Sequence, residues 1–222
     1  MQLIARPLRR IQRRLQQGRI KDYLANNQVR KLQLGSGENP LQGWLNTDIQ
    51  SSGEIVFLDI RQPFPLESAS FDFVFSEHLI EHVSYRHGLH CINECFRVLR
   101  PGGRIRIATP NLAFLMALYS DNKTDCERRY IDWSIGMFGG QLQAAPATYV
   151  INNFFRNWGH QFIYDFEALR GAMAQAGFVD VRRVKVHESD EPVLRRLESH
   201  GQVIPPEFNE LETMVAEAHK SI

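Results

Sequence analysis

Short apolar runs alternate with polar turns along the first half of the chain. Val29–Leu34 predicts a strand running into Gly35-Ser36-Gly37, and Trp44–Ile49 predicts a short strand ending at Asp48. Glu54–Ile60 predicts a third, ending at Asp59, and Phe71–Phe75 a fourth that opens onto Ser76-Glu77-His78. A helix is expected from Tyr85 to Leu99, stopped by Pro101-Gly102-Gly103. Gly103–Ala108 alternates into a fifth strand ended by Thr109-Pro110-Asn111, and Ala113–Tyr119 reads as helical. Ser120–His160 is aromatic, polar and irregular, which suggests an insertion or lid. Asp165–Ala176 is a capped amphipathic helix stopped by Gly177. Phe178–His187 and Leu211–His219 supply two last strands across a loop holding Pro192 and Pro205-Pro206.

Continuous apolar strands alternating with helices imply a sheet buried on both faces, hence an α/β sandwich. Such folds bind ligands beyond the carboxyl ends of their strands. Gly35–Asn39, Asp48, Asp59, Ser76–His78 and Thr109–Asn111 are therefore expected to meet in one cleft. Only Gln50–Glu54 separate the second and third strands, whereas a parallel crossover normally takes about a dozen residues or more. A helix is missing there, and one strand is expected to be vestigial.

A chain of 222 residues suits one domain with a decorated insertion. Its 43% hydrophobic and 23% charged residues exclude disordered, collagen-like and coiled-coil classes. No apolar run approaches the roughly 18 to 20 residues of a membrane span, and the first residues lack an apolar signal core. Three cysteines (Cys91, Cys95, Cys126) do not make a disulfide framework, so a cytoplasmic location is expected. The net charge of +1 hides an asymmetry: residues 1–28 hold seven arginine and lysine side chains against Asp22 alone. There Ile4, Leu8, Ile11 and Leu15 form a helical stripe opposite a basic face. The expected division is a basic amphipathic helix over 1–28 and one domain over 29–222. The arm packs on the domain or on a second subunit, or meets an anionic membrane surface. A nucleic-acid partner is disfavoured, because no stacking platform accompanies the arginines and the remaining chain is acidic.

Glycines after a strand bring backbone N–H groups close to a ligand, although Gly35-Ser36-Gly37 could equally be a tight strand exit. Asp48 at the next strand end can accept bonds from both hydroxyls of a ribose, and Asp59 could take one from an adenine amino group. At this point LQLGSGENPLQGWLNTDI, LDIRQPFPLESASFDFVFSEHLIEHV and CFRVLRPGGRIRIATPN together resemble class I S-adenosylmethionine-dependent methyltransferases. More narrowly, the chain is similar to a small bacterial methyltransferase group of type 11, with its G-W-x-N-x-D stretch and later H-x-x-x-Y-D-x-x-x-L segment. The likeness runs from Val29 to Phe178 and is strongest between Lys31 and Asn111. It implies a Rossmann-like seven-stranded sandwich, mostly parallel with an antiparallel last strand. It also implies S-adenosylmethionine as cofactor. Gly35, Ser36 and Gly37 would cradle the methionine end, Asp48 and Ile49 would hold the ribose side, Asp59 and Ile60 would frame the adenine, and Ser76 and Glu77 would meet the methionine moiety and substrate. Gln33 stands where the family usually carries an acidic residue.

Methyl transfer needs an aligned nucleophile and exclusion of water, with a base only where the acceptor must lose a proton. His78, directly after the fourth strand, and His160, leading into Tyr164-Asp165, are the candidates for that base. Asn111 could bond substrate or simply cap a helix. Tyr130, Trp133, Phe138, Tyr149, Phe154, Phe155 and Trp158 suit a lid over a small organic, glycan or lipid-precursor acceptor, or a subunit contact. Competing readings are a cofactor-binding scaffold or regulator without catalysis, and a nicotinamide oxidoreductase, disfavoured by the absent third glycine. His78-Leu79-Ile80-Glu81-His82 matches the H-x-x-E-H signature of inverted zinc peptidases, but its first histidine is expected in a strand-to-helix loop. Cys91 and Cys95, near His87 and His90, are expected to face the core as small apolar side chains. No metal site is expected.

Overall fold

The computed structural model describes residues 5–139 and 146–222, with side chains from residue 15 onward. The strands are β1 (Lys31–Leu34), β2 (Leu45–Asp48), β3 (Val56–Phe57), β4 (Phe71–Glu77), β5 (Leu99–Pro110), β6 (Phe178–Val184) and β7 (Thr213–Lys220). They form one sheet in the order β3-β2-β1-β4-β5-β7-β6. Strands β1 to β5 pair in parallel, while β7 runs antiparallel to both β5 and β6. The expected seven-stranded, mostly parallel sheet with an antiparallel last strand therefore forms. Between β2 and β3 there is no helix, and β3 is reduced to two residues of the longer strand expected over Glu54–Ile60.

Alternation along each strand divides the interior. Leu32, Leu34, Val74, Ile105, Ile107, Met214 and Ala216 point to a main core shared with α1 (Ala5–Asn26), α2 (Tyr85–Val98) and α6 (Phe166–Ala176). The capping residues fix these helices. Ser84 accepts from the His87 N–H ahead of α2, and Asp165 accepts from the Ala168 N–H at 2.7 Å ahead of α6. Gly177 ends α6 in the left-handed region, at φ 104°. Cys91 and Cys95 lie buried on the core side of α2.

The opposite face is covered differently. Phe75 and Trp44 instead pack on Leu194, and Val215 on Val186, so the irregular segment before β7 serves as a layer. A buried ion-pair network holds it there. Arg106, fully enclosed on β5, donates to Glu198 and Glu217, both at 2.5 Å, and to the Glu188 carbonyl at 2.8 Å. The backbone N–H of His187 in turn donates to Glu198 at 3.0 Å.

Two expectations change in the second half. The segment read as irregular contains two helices, α4 (Asp125–Phe138) and α5 (Ala147–Arg156), packed with α3 (Leu112–Ala117) around a second core of Phe114, Leu115, Tyr130, Val150 and Phe154. Thr124 and Glu127 form a reciprocal capping box that starts α4. The proline pair also opens a helix, α7 (Pro206–Glu212), because proline at the first helical position lacks only a donor that would be unpaired anyway. In the basic arm, Ile20 enters the main core and the Tyr23 hydroxyl donates to the Lys31 carbonyl at 2.9 Å, so this half of α1 packs on the domain. Leu15 is exposed. Ile4, Leu8, Ile11 and the arginines up to Arg14 lie outside the described side chains. Among the described residues no helix is long and apolar enough to cross a membrane.

Candidate active site

After β1 the chain turns through Gly35 (φ 65°) and Gly37 (φ 50°), conformations that glycine adopts without a Cβ penalty. A Cβ on Gly35 would lie 2.8 Å from Leu79 Cδ1, so the turn runs against the residue that follows His78. A Cβ on Gly37 would meet open space. The Ser36 hydroxyl between them is buried with no hydrogen-bond partner. Asp48 sits beside this turn at the end of β2. It accepts the Gly37 N–H at 3.0 Å on one carboxylate oxygen and the Gln50 N–H at 2.7 Å on the other. Ile49 next to it is exposed. Gln33 braces the far end of the loop: its side-chain Oε1 accepts the Leu41 N–H at 3.0 Å, and its side-chain NH₂ donates to the Asn39 carbonyl at 3.2 Å.

Other residues expected at the cofactor are engaged elsewhere. Asp59 lies two residues past the end of β3. Both its oxygens bind the Arg61 guanidinium at 2.8 Å, and that bond holds the carboxyl below its ordinary range. The Ile60 side chain faces the main core, which leaves only its backbone for an adenine. Ser76 is buried at the end of β4. The Glu77 carboxylate turns away from the glycine turn to the C-terminal layer. There it accepts from the Ser199 N–H at 2.8 Å, the Ser199 hydroxyl at 2.9 Å and the His200 N–H at 2.9 Å. Asn111 caps α3, accepting the Ala113 N–H at 3.0 Å.

His78 and His160 do come together. They line one cavity of about 330 Å³ with Trp133, Phe138, Phe154 and Trp158 from the insertion, and with His82, His200, Glu81 and Glu212. Tyr149 and Phe155, also read as lid residues, do not line it. His78 holds a positive φ of 45°, a strained value for a side-chain-bearing residue and one concentrated at functional sites. One ring nitrogen lies 3.2 Å from Glu81 and the other 3.3 Å from the Thr213 hydroxyl, and the ring centroid lies 4.1 Å from that of His200, the planes tilted by 40°. Burial opposes charge on His78. The hydrogen bond and field of Glu81, with Glu212 and Glu77 adding, outweigh it and raise the pKa. Burial similarly disfavours the charged Glu81, yet the His78 bond prevails and lowers its pKa. His160 is shifted the other way: burial lowers its pKa despite the bond to the Phe154 carbonyl. Because a carbonyl can only accept, that 2.8 Å bond puts the proton on Nδ1 and leaves the Nε2 lone pair free.

The H-x-x-E-H segment is not an α-helix. His78 belongs to the strand exit, and only Ile80–His82 form a single 3₁₀ turn, so His78 and His82 do not share a helical face. Sequence reasoning missed His200 and Glu212. The first stands in a loop without periodicity, and the second falls inside the strand expected over Leu211–His219, whereas it ends α7.

Residues 32–107, which carry β1 to most of β5, match the family described as "Methyltransferase domain". The expected resemblance to class I S-adenosylmethionine-dependent methyltransferases is borne out over this stretch. A methyltransferase from Archaeoglobus fulgidus described as SAM-dependent superposes with a TM-score of 0.52 at 18% identity, covering 94% of both chains. A S-adenosylmethionine-dependent methyltransferase from Mesorhizobium loti gives 0.51 at 15% identity, covering 86% of this chain and 91% of that one. Both share the fold. For a phosphoethanolamine N-methyltransferase 2 from Haemonchus contortus the TM-score is 0.47 at 13% identity; 87% of this chain is covered and about half, 49%, of that one. No curated protein matches the chain. The geometry at these strand ends suits S-adenosylmethionine. The glycine turn with its open side at Gly37, the orphaned Ser36 hydroxyl and the fixed Asp48 carboxylate give a close backbone approach, an unused polar group and an anionic acceptor on one strand-end edge.

Proposed function

We propose that the protein transfers a methyl group from S-adenosylmethionine to a small organic, glycan or lipid-precursor acceptor held in the histidine-lined aromatic cavity. The observation that carries this reading is the connection Ser76–His82, which separates two compartments. Leu79 abuts the glycine turn on one side, while His78, Glu81 and His82 line the cavity on the other. A cofactor on the turn and an acceptor in the cavity would thus meet across one short segment. The bound cofactor supplies an activated methyl on a sulfonium, so the protein's task is alignment and exclusion of water.

In this reading Gly35–Gly37 and Ser36 hold the methionine end, Asp48 accepts the ribose hydroxyls beside the exposed Ile49, and Asp59 reaches an adenine only when Arg61 swings aside. Trp133, Phe138, Phe154 and Trp158 give apolar walls that sandwich an acceptor and keep water out. His160 is better suited than His78 to take a proton, since its Nε2 lone pair is free and its neutral form is favoured. His78, whose charged form is favoured, instead orients or stabilises an anionic acceptor. The basic half of α1, beyond the packed Ile20, is left to meet a second subunit or an anionic surface that presents a lipid-linked acceptor. The test supplies methyl-labelled S-adenosylmethionine with panels of small organic, glycan and lipid-precursor acceptors. The reading expects label transfer that falls by roughly 10²–10⁴ in His160→Gln. Cofactor binding with no transfer to any class would favour the scaffold reading.

A further inference from the structure

Two sets of metal-type ligands face the cavity: His78, His200 and Glu212, and Glu81, His82 and His160. In each, the candidate ligand atoms lie within 4.8 Å of one another. Glu81 is fully buried and Glu212 nearly so, and among the described residues no lysine or arginine lines the cavity to balance them. Buried carboxylates without a fixed cation are costly.

The first set has the support that a metal centre needs. His78 presents one ring nitrogen to Glu81 at 3.2 Å, and the other, 3.3 Å from the Thr213 hydroxyl, would ligate by exchanging its proton for the ion, the carboxylate–histidine–metal arrangement. His200 Nε2 and a Glu212 oxygen are 2.9 Å apart, close to the edge of a coordination polyhedron. The other Glu212 oxygen accepts from the Tyr130 hydroxyl, and the His200 backbone is fixed by Glu77 at 2.9 Å. The second set differs, because both Glu81 oxygens are held by groups outside it, His78 and Thr109 at 3.0 Å, whereas one Glu212 oxygen faces only its fellow ligand His200. We propose that His78, His200 and Glu212 bind one divalent transition ion of the zinc or iron(II) class, with Glu81 orienting His78. Two imidazoles and one carboxylate suit those ions and leave coordination positions open. Trp133, Phe138, Phe154 and Trp158 line the same cavity, so a hydroxyl or thiol of an acceptor held there could bind the ion and become a better nucleophile. That last role rests on the methyl-transfer reading, whereas the ion site does not.

The experiment uses the full chain purified without a histidine tag. Metal content is measured first. The chelator-stripped protein is then titrated with cobalt(II), whose visible absorption reports low-coordinate nitrogen and oxygen ligation. The expected result is one equivalent per chain, with affinity reduced on the order of 100-fold or more in both His200→Gln and Glu212→Gln. Glu81→Gln is expected to weaken it roughly 10–100-fold, and His82→Gln to leave it within about threefold. Circular dichroism verifies that each variant is folded. Absence of metal together with no cobalt binding to the folded parent overturns the proposal. So does binding that survives His200→Gln but is lost in His82→Gln, which would move the ion to the other set. Titration with S-adenosylhomocysteine on the same samples reads the cofactor site separately, so failure of one reading is not failure of the other.

Discussion

Replacing Glu77 by glutamine separates two roles for the end of β4. In the structure three donors, the backbone N–H groups of Ser199 and His200 and the Ser199 hydroxyl, converge on its carboxylate at 2.8–2.9 Å. A hydrogen bond to a charged group contributes about 1.5–3 kcal/mol, and a neutral one about 0.5–1.5. Neutralising the acceptor therefore weakens each bond by roughly 1 kcal/mol, or about 3 kcal/mol for the three. The new amide NH₂ also faces donors instead of accepting from them. Part of this loss appears as local release of the segment around His200 and the remainder as global destabilisation. If all of it were global, the melting temperature would fall by about 6–12 °C. The assay is urea unfolding combined with amide hydrogen exchange at Ser199 and His200, and titration with S-adenosylhomocysteine. The expected outcome is faster exchange at both amides and lower stability, with cofactor-product affinity within about twofold of the parent. A tenfold loss of that affinity, about 1.4 kcal/mol, with exchange at 199 and 200 unchanged, would refute the argument and return Glu77 to the cofactor.

Arg106→Met leaves Glu198 and Glu217 buried without their cation and is expected to cost about 3–5 kcal/mol, read from the urea midpoint. The pH dependence of stability has a defined sign at Glu94. The hydrogen bond from Arg97 at 2.7 Å, with the Phe64 N–H at 2.6 Å, holds this carboxyl below its ordinary value, so its contribution is complete above the unfolded value of about 4.3 and is lost as pH falls through the lower folded one. Glu94→Gln should therefore lower stability at neutral pH and flatten its decline below about pH 4; an unchanged slope would contradict the pairing.

The strands and the turn were legible because their signal is local. Leu32 and Leu34 alternate with Gln33, Gly35 and Gly37 stop the strand, and Asp48 ends the next one. The shortness of Gln50–Glu54 likewise foretold the missing helix and the two-residue β3. In contrast, α4 and α5 were hidden by aromatic residues on several sides, since Tyr130 and Phe154 face the second core while Phe138 and Phe155 are partly exposed. The Glu77 and His200 pairing was invisible for another reason: it joins positions 123 residues apart and follows no period. The same distance concealed the assembly of the cavity. His78 and His160 were found as strand-end and loop histidines, but His200 and Glu212 reach them only through the packing of the irregular layer that Arg106 and Glu77 secure. Glu77 and Ile60 show the converse, since strand-end positions given to the cofactor carry side chains that also serve the fold.

The most direct measurement is a calorimetric titration with S-adenosylhomocysteine, made on the parent and on Asp48→Ala. The proposed role of Asp48 puts two charge-assisted bonds to ribose hydroxyls at stake, so the variant should bind about 10–100-fold more weakly or worse. Hydrogen exchange at Gly37 and Gln50 registers any loosening of the turn itself. Binding to the parent in the micromolar range, weakened by that factor in Asp48→Ala, is the predicted result. A parent that does not bind, or a variant that binds as tightly as the parent, would contradict the assignment of the cofactor to the glycine turn.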